Sequence, residues 1–484
     1  MFHLTAKWKS FKQSLRKRGG LKRSFKLIGI VLQEKGVRGL IKHILMLKNE
    51  LKSKNRVTQW QKTFAKKEIM PSVLKYKNAY MLSLNNTDTS LPLVSIILVN
   101  YNGREHLDEL LNSIYRQSYN NIEVIVVDNG STDGSTEYIK KNFSQVSVLI
   151  QQQNLGFSKA VNLAADTAQG RYFCLFNNDM VLDKDAVSNL YQCLSHDETI
   201  SAAGSKIRFY KKFITVRITL KTSGKVYLDL DALRQSLKIY PKILFTDYLL
   251  KLTLFNQQEC HEFEKVTEFK IPITHGQVRP VFRFYCDKNN EITIKANGFE
   301  QKIECKAKKW IQIHSDMLDT LKNAQWLINN AGSFIETDLS AGDRGFGLYD
   351  QGQFDLPELV EALCGGALML KPEVLASKPV FSEHFFVYYE DTDLSFRIRK
   401  AGYNVSFCPQ SVVYHKHAST SSQHPALYQY YTIRNRLLFI KLHYSEEIFL
   451  QYYRQQVNEL QQNNPELLLD LDDKLDLIEK NKFY

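Results

Sequence analysis

From Leu93 onward the chain repeats apolar strand, polar edge and amphipathic helix, and this repeat confines the fold more than any other feature. Val94–Asn100, Glu123–Val127, Val146–Ile150 and Tyr172–Phe176 read as strands, with His106–Arg116, Thr136–Phe143 and Ser158–Ala168 as the helices between them. Strands that alternate with helices need crossover connections, so the spacing predicts an α/β fold with a mostly parallel sheet. Ligands of such sheets bind beyond the carboxyl ends of the strands. Those ends are Asn100-Tyr101-Asn102-Gly103, Asp128-Asn129-Gly130-Ser131, Gln153-Asn154-Leu155-Gly156 and Asn177-Asn178-Asp179. All four are polar and three contain glycine, which marks a binding edge.

The rhythm breaks between about 210 and 326. Lys265–Ile273, Arg279–Cys286, Glu291–Ala296 and Gln301–Lys306 read as strands, and Asp287-Lys288-Asn289-Asn290 as a hairpin turn, so an inserted all-β module is expected. Val216–Leu254 fits no pattern. The α/β rhythm resumes near 327 and runs to about 445, and a helical tail follows over 446–484. The expected order is an arm and linker (1–90), a first α/β half (91–209), the module (210–326), a second half (327–445) and the tail.

Charge sets the N-terminal segment apart. Residues 1–56 hold sixteen Lys or Arg against Glu34 and Glu50, about +14 of the chain's formal +13, so the remaining 428 residues sit near −1. Apolar positions at Phe25, Ile28, Leu32, Leu40, Ile41, Ile44 and Leu45 recur at helical spacing among these bases. A basic helical arm of this kind suits an anionic membrane surface, where each surface-proximal Lys or Arg contributes on the order of 1 kcal/mol. Nucleic acid is not expected as a partner, because the body has no basic excess. Seven cysteines without a Cys-x-x-Cys pair suggest buried, reduced thiols. With no secretory signal pattern and no apolar run of roughly 18 residues, the expectation is a cytoplasmic protein, peripheral at the inner face of the cell membrane.

Carboxylates concentrate where chemistry is expected. Asp128 ends a strand, where it can accept hydrogen bonds from a base N–H or a ribose hydroxyl. Asp179 ends another, and one carboxylate with diphosphate oxygens suits Mg²⁺ or Mn²⁺. His415, after the apolar run Val412-Val413-Tyr414, can complete that metal site as a neutral imidazole, with His417 two residues on as a weaker candidate. Phe385–Arg399 carries Glu390, Asp391 and Asp393 at the start of a predicted helix, Leu394–Ala401. Asp393 is four residues from Arg397 and reads as an ordinary helical ion pair. Glu390 and Asp391 precede that helix and can supply the single base that a direct displacement needs. Gly342-Asp343-Arg344-Gly345-Phe346-Gly347 has the wrong spacing for a dinucleotide fingerprint. Gly365-Gly366 marks either a close substrate passage or tight packing.

At these residues the chain resembles glycosyltransferase family 2, the inverting enzymes of the GT-A, Rossmann-like fold. The resemblance covers about 93–205 and 327–442. It is carried by Val94–Asn102, Val126–Asp133, Asn154–Phe157, Asn177–Asp179 and Phe385–Arg399. It implies that Asp128 with Asn100 and Asn102 holds the nucleoside, that Asn154, Gly156 and Asn178 line the donor, and that Asp179 is the surviving acid of an Asp-x-Asp metal motif. Asp391 is then the general base with Glu390 beside it. His415 resembles the metal-side histidine of rhamnosyl- and galactofuranosyltransferase-like members. Arg434-Asn435-Arg436 resembles a late motif near the diphosphate, which places Arg434 at the donor. Asn177 replaces the first acid of the metal motif, a departure that leaves one carboxylate for the cation.

The expectation is therefore a transferase moving a sugar from a nucleotide-diphosphate sugar to a hydroxyl of a surface glycan, lipid-linked at the membrane, with a divalent cation (Mn²⁺ or Mg²⁺). A sugar nucleotidyltransferase would want a basic Gly-rich loop after the first strand, where only Arg104 is close. A decayed, glycan-binding protein would not need Asp128, Asp179, Asp391 and His415 together.

Overall fold

Asn100, Asp128 and Asn177 finish three neighbouring strands at nearly the same height, which makes one polar edge from segments far apart in sequence. This computed structural model describes residues 91–237, 245–246, 251–255, 257–273, 280–296, 298–315, 324–376, 378–416 and 425–463. They belong to one unit, Thr87–Tyr484. The expected basic arm, His417 and the end of the tail lie outside the described residues.

The first half runs β1 (Val94–Asn100), α1 (Arg104–Tyr115), β2 (Ile122–Asp128), α2 (Ser135–Asn142), β3 (Ser147–Ile150), α3 (Phe157–Ala165), β4 (Tyr172–Asn177), β5 (Met180–Leu182) and α4 (Ala186–Ser195). The order β3-β2-β1-β4 is parallel throughout, as the alternation predicts. The continuous apolar run of β1 follows from covering both faces of a central parallel strand.

Next come β6 (Ile200–Leu220), β7 (Val226–Asp229), α5 (Leu230–Leu237), β8 (Phe245–Thr246), β9 (Lys251–Phe255), β10 (Gln258–Phe263), β11 (Val266–Ile273), β12 (Val281–Cys286), β13 (Asn290–Ala296), β14 (Phe299–Cys305) and β15 (Trp310–His314). The 21-residue β6 joins the body to the module. Its first half lies in the central sheet, and its second half pairs antiparallel with β11 and β13. A second sheet, β15-β12-β7-β10-β9, contributes Val226, Leu228, Phe282 and Phe284 to a core shared with Val216, Ile218, Ile292 and Ile294 of the first. The module is β-rich but not all-β. Leu230, Leu233 and Leu237 bury one face of α5 in that core, and Asp229 accepts from the Ala232 backbone N–H at 3.0 Å at the helix start. This helix is only eight residues long, too short for its apolar spacing to stand out in the unplaced stretch.

The thiol expectation also needs correction. Cys286 and Cys305 form a disulfide across Cα atoms 6.5 Å apart, tying β12 of one sheet to β14 of the other. Its partners become neighbours only when the two sheets stack, so no local Cys pattern announces it. Cys174, Cys193, Cys260, Cys364 and Cys408 form no disulfide.

The second half runs β16 (Gln325–Asn330), the hairpin β17 (Ser333–Ile335) and β18 (Ala341–Asp343), β19 (Glu358–Leu359), β20 (Ala367–Leu370), α6 (Glu390–Lys400), β21 (Asn404–His415), α7 (Pro425–His443) and α8 (Glu446–Asn463). β20 inserts between β4 and β6, antiparallel to both, while β21 runs parallel to β6. The sheet therefore keeps a parallel centre and turns mixed on one flank. Ile97, Ile125, Val127, Leu175, Leu368 and Leu370 pack with Leu394 and Ile398 of α6, which fixes that helix against the sheet. Arg344 reaches Glu358 at 2.7 Å, and the buried Lys206 of β6 reaches Asp350 at 3.5 Å, pinning the long connection after β18 to the body. Among the described residues no helix is long and apolar enough to cross a membrane.

Candidate active site

At the strand edge, side chains hold loops to one another. Asn100 is fully buried. Its Nδ2 donates to Asp128 Oδ2 at 3.1 Å and to Ser131 Oγ at 3.1 Å, while its Oδ1 accepts from Asn178 Nδ2 at 3.0 Å. Asp128 is 1 % exposed and its Oδ1 accepts from the Ser131 backbone N–H at 2.9 Å. Asn102, in the left-handed region at φ 49°, accepts from Thr132 N at 2.8 Å. Asn100, Asn102, Asp128 and Asn178 thus form one network that shapes the Asn129–Asp133 turn.

A second network stands beside it. Asn154 Oδ1 accepts from Asn129 Nδ2 and from Gly156 N, both at 2.9 Å, and Asn129 Oδ1 accepts from Leu155 N at 2.9 Å. Gly156 has φ +85°, and a Cβ there would lie 2.7 Å from the Phe386 carbonyl oxygen. Phe157 N donates to that same oxygen at 2.7 Å, so the loop before α6 closes directly on the third strand end. Asn129, which sequence reasoning passed over beside Asp128, is buried and central here. Its signal was an Asn on the same polar edge.

Asp179 and His415 meet. His415 Nε2 lies 3.2 Å from Asp179 Oδ2, and its Nδ1 lies 3.0 Å from Asn329 Oδ1 of β16. The pairing of β21 with β5, His415 opposite Met180, brings the end of one strand to the turn after β4. Asn177 stands where the family pattern has an acid; its backbone N–H donates to Gly366 O at 3.0 Å, and a Cβ on Gly366 would lie 2.9 Å from its Nδ2. His106 of α1, which the sequence did not single out, is buried and near enough to feel the charge of Asp179; burial is the largest influence and lowers its pKa. Among the described residues no three His, Cys, Asp or Glu gather as a complete metal site. The pair offers one oxygen and one nitrogen, which fits a divalent cation whose other ligands come from a diphosphate and water.

The acid pair sits at the start of α6, which begins at Glu390 and not at Leu394 as the sequence suggested. Tyr388 and Tyr389 both occupy the left-handed region (φ 71° and 70°), an uncommon conformation for aromatic residues that concentrates at functional turns. Asn435 Nδ2 holds this turn by donating to Val387 O at 2.7 Å and Tyr388 O at 2.8 Å, and Arg434 Nη1 donates to His384 O at 2.7 Å. Arg434 therefore braces the loop that touches Gly156.

Asp391 Oδ2 accepts from Gly365 N at 2.8 Å and its Oδ1 from Thr392 N at 2.7 Å. A Cβ on Gly365 would come within 3.1 Å of the Asp391 Cβ, so the first glycine of the pair is there for close approach to this acid. Burial raises the Asp391 pKa despite those donors. Glu390 is 6 % exposed, and its Oε2 has no hydrogen-bond partner among the described residues. Burial first, then the charge of Asp391, push its carboxyl well above the ordinary value. Two adjacent acids whose environments differ in this way can divide the roles, one keeping its proton and the other taking one. Asp393 takes the bland part: Arg397 Nε lies 2.8 Å and His443 Nε2 2.6 Å from its carboxylate.

Residues 95–250 match the family model described as glycosyl transferase family 2, so Glu390, Asp391 and His415 lie beyond the matched stretch. An uncharacterized glycosyltransferase of Haemophilus influenzae is 32 % identical over 117 residues, 24 % of this chain and 36 % of the relative. Glycosyltransferase GlyA of Streptococcus pneumoniae is 34 % identical over 119 residues, 24 % of this chain and 17 % of the relative. TuaG of Bacillus subtilis, a glycosyltransferase provisionally placed in teichuronic acid biosynthesis, is 35 % identical over 97 residues, 19 % of this chain and 38 % of the relative. The matched segments span well under half of these relatives. Among solved structures, GalNAc-T7 with UDP, GalNAc and Mn²⁺ shares 14 % identity at a TM-score of 0.41, covering 74 % of this chain and 49 % of its own. A mannosyltransferase of Pyrobaculum calidifontis with GDP-Man and Mn²⁺ shares 14 % identity at a TM-score of 0.37, covering 85 % and 84 %. The strand edge with its Asp-Asn-Gly-Ser turn coincides with the family match, and the chain carries a glycosyl transferase family 2 domain at residues 95–250.

Proposed function

We propose that this chain transfers a sugar from a nucleotide-diphosphate donor to a hydroxyl of a glycan acceptor by direct displacement, with inversion, and that Asp391 is the base. One observation carries the reading. Asp391 is fixed by Gly365 N and Thr392 N beside a buried Glu390 whose Oε2 has no hydrogen-bond partner among the described residues, on the helix whose preceding loop closes on Gly156 of the strand edge. The strand-end network of Asn100, Asp128 and Asn129 shapes the nucleoside end. Asp391 removes the proton of the attacking hydroxyl as it adds to the anomeric carbon and the diphosphate leaves, and Glu390 stays protonated beside it.

Asp179 and His415 would hold the divalent cation, Mn²⁺ or Mg²⁺. When bound, that ion supplies charge neutralisation for the leaving diphosphate. The acceptor we propose is a surface polysaccharide, lipid-linked. The relative TuaG supports the polysaccharide. The +14 arm at residues 1–56 supports an anionic membrane surface at the cytoplasmic face.

The test is thermal melting of the full chain with UDP, dTDP, GDP and their sugars, with and without Mn²⁺. A ligand that binds only the folded state raises the Tm, by linkage of about 2.7 kcal/mol at a hundredfold excess over Kd. One nucleotide family should stabilise, more so with Mn²⁺. No shift with any of them contradicts the reading.

A further inference from the structure

Asp343 belongs to the Gly342–Gly347 segment that matches no nucleotide fingerprint, and the fold brings it to the site. It ends β18 of the hairpin that follows β16. Its Oδ1 accepts from Asn330 Nδ2 at 2.6 Å and, more weakly, from Ser333 Oγ at 3.4 Å, so the carboxylate has a fixed direction. Ser333 exchanges backbone hydrogen bonds with Ala362 at 2.8 and 3.1 Å, and three residues later Gly365 N donates to Asp391. Asn329, next to Asn330, touches His415. One short stretch of wall thus connects Asp343 to the base on one side and to the metal pair on the other.

Asp343 is exposed to solvent. It is nonetheless surrounded closely enough that desolvation is the largest influence on its carboxyl and raises its pKa, with Asp391 raising it further and His415 opposing. Among the described residues it has no charged partner within ion-pair distance, and its two side-chain hydrogen bonds both go to Oδ1.

We propose that Asp343 reads the transferred sugar, its carboxylate accepting a hydrogen bond from a ring hydroxyl of the donor. This rests on the transferase reading above. In a displacement the sugar ring lies between the diphosphate, which a cation at Asp179 and His415 would hold, and the attacking hydroxyl at Asp391. Asp343 lies on the wall that joins these two ends and feels the charge of both Asp391 and His415. Its role is to fix the ring's orientation and select among sugars, and it takes no proton in the reaction.

The experiment compares the affinity of a sugar nucleotide with that of its own nucleoside diphosphate, in the full chain with Mn²⁺, by titration calorimetry. The probes are UDP-glucose, UDP-N-acetylglucosamine, dTDP-rhamnose and GDP-mannose, and the one bound most tightly by the wild type is used. D343N, nearly isosteric, and D343A should each weaken the sugar nucleotide about 10- to 100-fold while the nucleoside diphosphate stays within about 2-fold. Unchanged affinity for both ligands, or a parallel loss for both, overturns the inference while leaving the transferase reading standing. A wild type that binds none of the probes and none of their nucleoside diphosphates overturns that reading and this inference with it.

Discussion

His415 Nε2 lies 3.2 Å from Asp179 Oδ2, joining the end of β21 to the turn after β4 across more than 230 residues of chain. If these two hold the cation, its affinity rests on few protein ligands, because Asn177 offers no carboxylate. Asp179→Ala should abolish the extra donor affinity that Mn²⁺ provides, and His415→Ala should reduce it less, since imidazole supplies no charge. Calorimetric titration of the nucleotide with and without Mn²⁺ measures both. Full wild-type activity in excess chelator refutes the cation role of the pair.

Asp391→Asn keeps shape and removes proton affinity. Turnover should fall by about 10²–10⁴ with donor affinity nearly unchanged. Because burial raises the Asp391 carboxyl above its ordinary 3.8, the acid limb of the wild-type kcat/KM profile should lie above that value, with activity lost as pH falls through it. A wild-type-like turnover in the variant would move the base elsewhere.

Glu390 links protonation to stability. Its folded-state pKa is raised above the ordinary 4.5. Below the ordinary value both folded and unfolded chains hold the proton, so the group costs nothing. As pH rises toward the raised value the folded state must either keep the proton or bury a charge, and the destabilisation is fully present above it. Glu390→Gln should therefore melt like wild type near about pH 4 and about 1–3 °C higher near pH 8. An equal Tm at both pH values contradicts a Glu390 carboxyl raised by burial.

Gly156→Ala tests the closure of the loop before α6 on the strand edge. The new Cβ would meet the Phe386 carbonyl at 2.7 Å with the backbone in the left-handed region at φ +85°. A cost of at least about 1–2 kcal/mol is expected in denaturant unfolding, together with weaker nucleotide binding. A neutral effect on both would mean that the loop can back away freely.

The parallel half of the fold was legible because it obeys local rules: each strand of β1 to β4 is an apolar run and ends in a polar turn. The flank was not. β20 enters between β4 and β6 from 190 residues downstream, and β6 belongs to two structures at once, so neither pairing has a local signature. At the site, the residues proposed to carry the chemistry, Asp179, His415, Glu390 and Asp391, stood out by type and position. Their neighbours Asn129, Asn329 and Asn330 are ordinary asparagines whose importance comes from which backbone or side-chain groups they reach. Arg434 carried a motif signal, and its Nη1 donates to the His384 carbonyl, so it supports the loop at Gly156.

The most direct measurement is release of nucleoside diphosphate from a matched sugar nucleotide, in the presence of Mn²⁺ and acceptor-bearing membranes, by the wild type and by Asp391→Asn. The account predicts acceptor-dependent release by the wild type, with sugar appearing in the glycan. The variant should bind the donor equally but turn over about 10²–10⁴ times more slowly. Equal rates for the two proteins, or donor breakdown by the wild type that no acceptor accelerates, would contradict it.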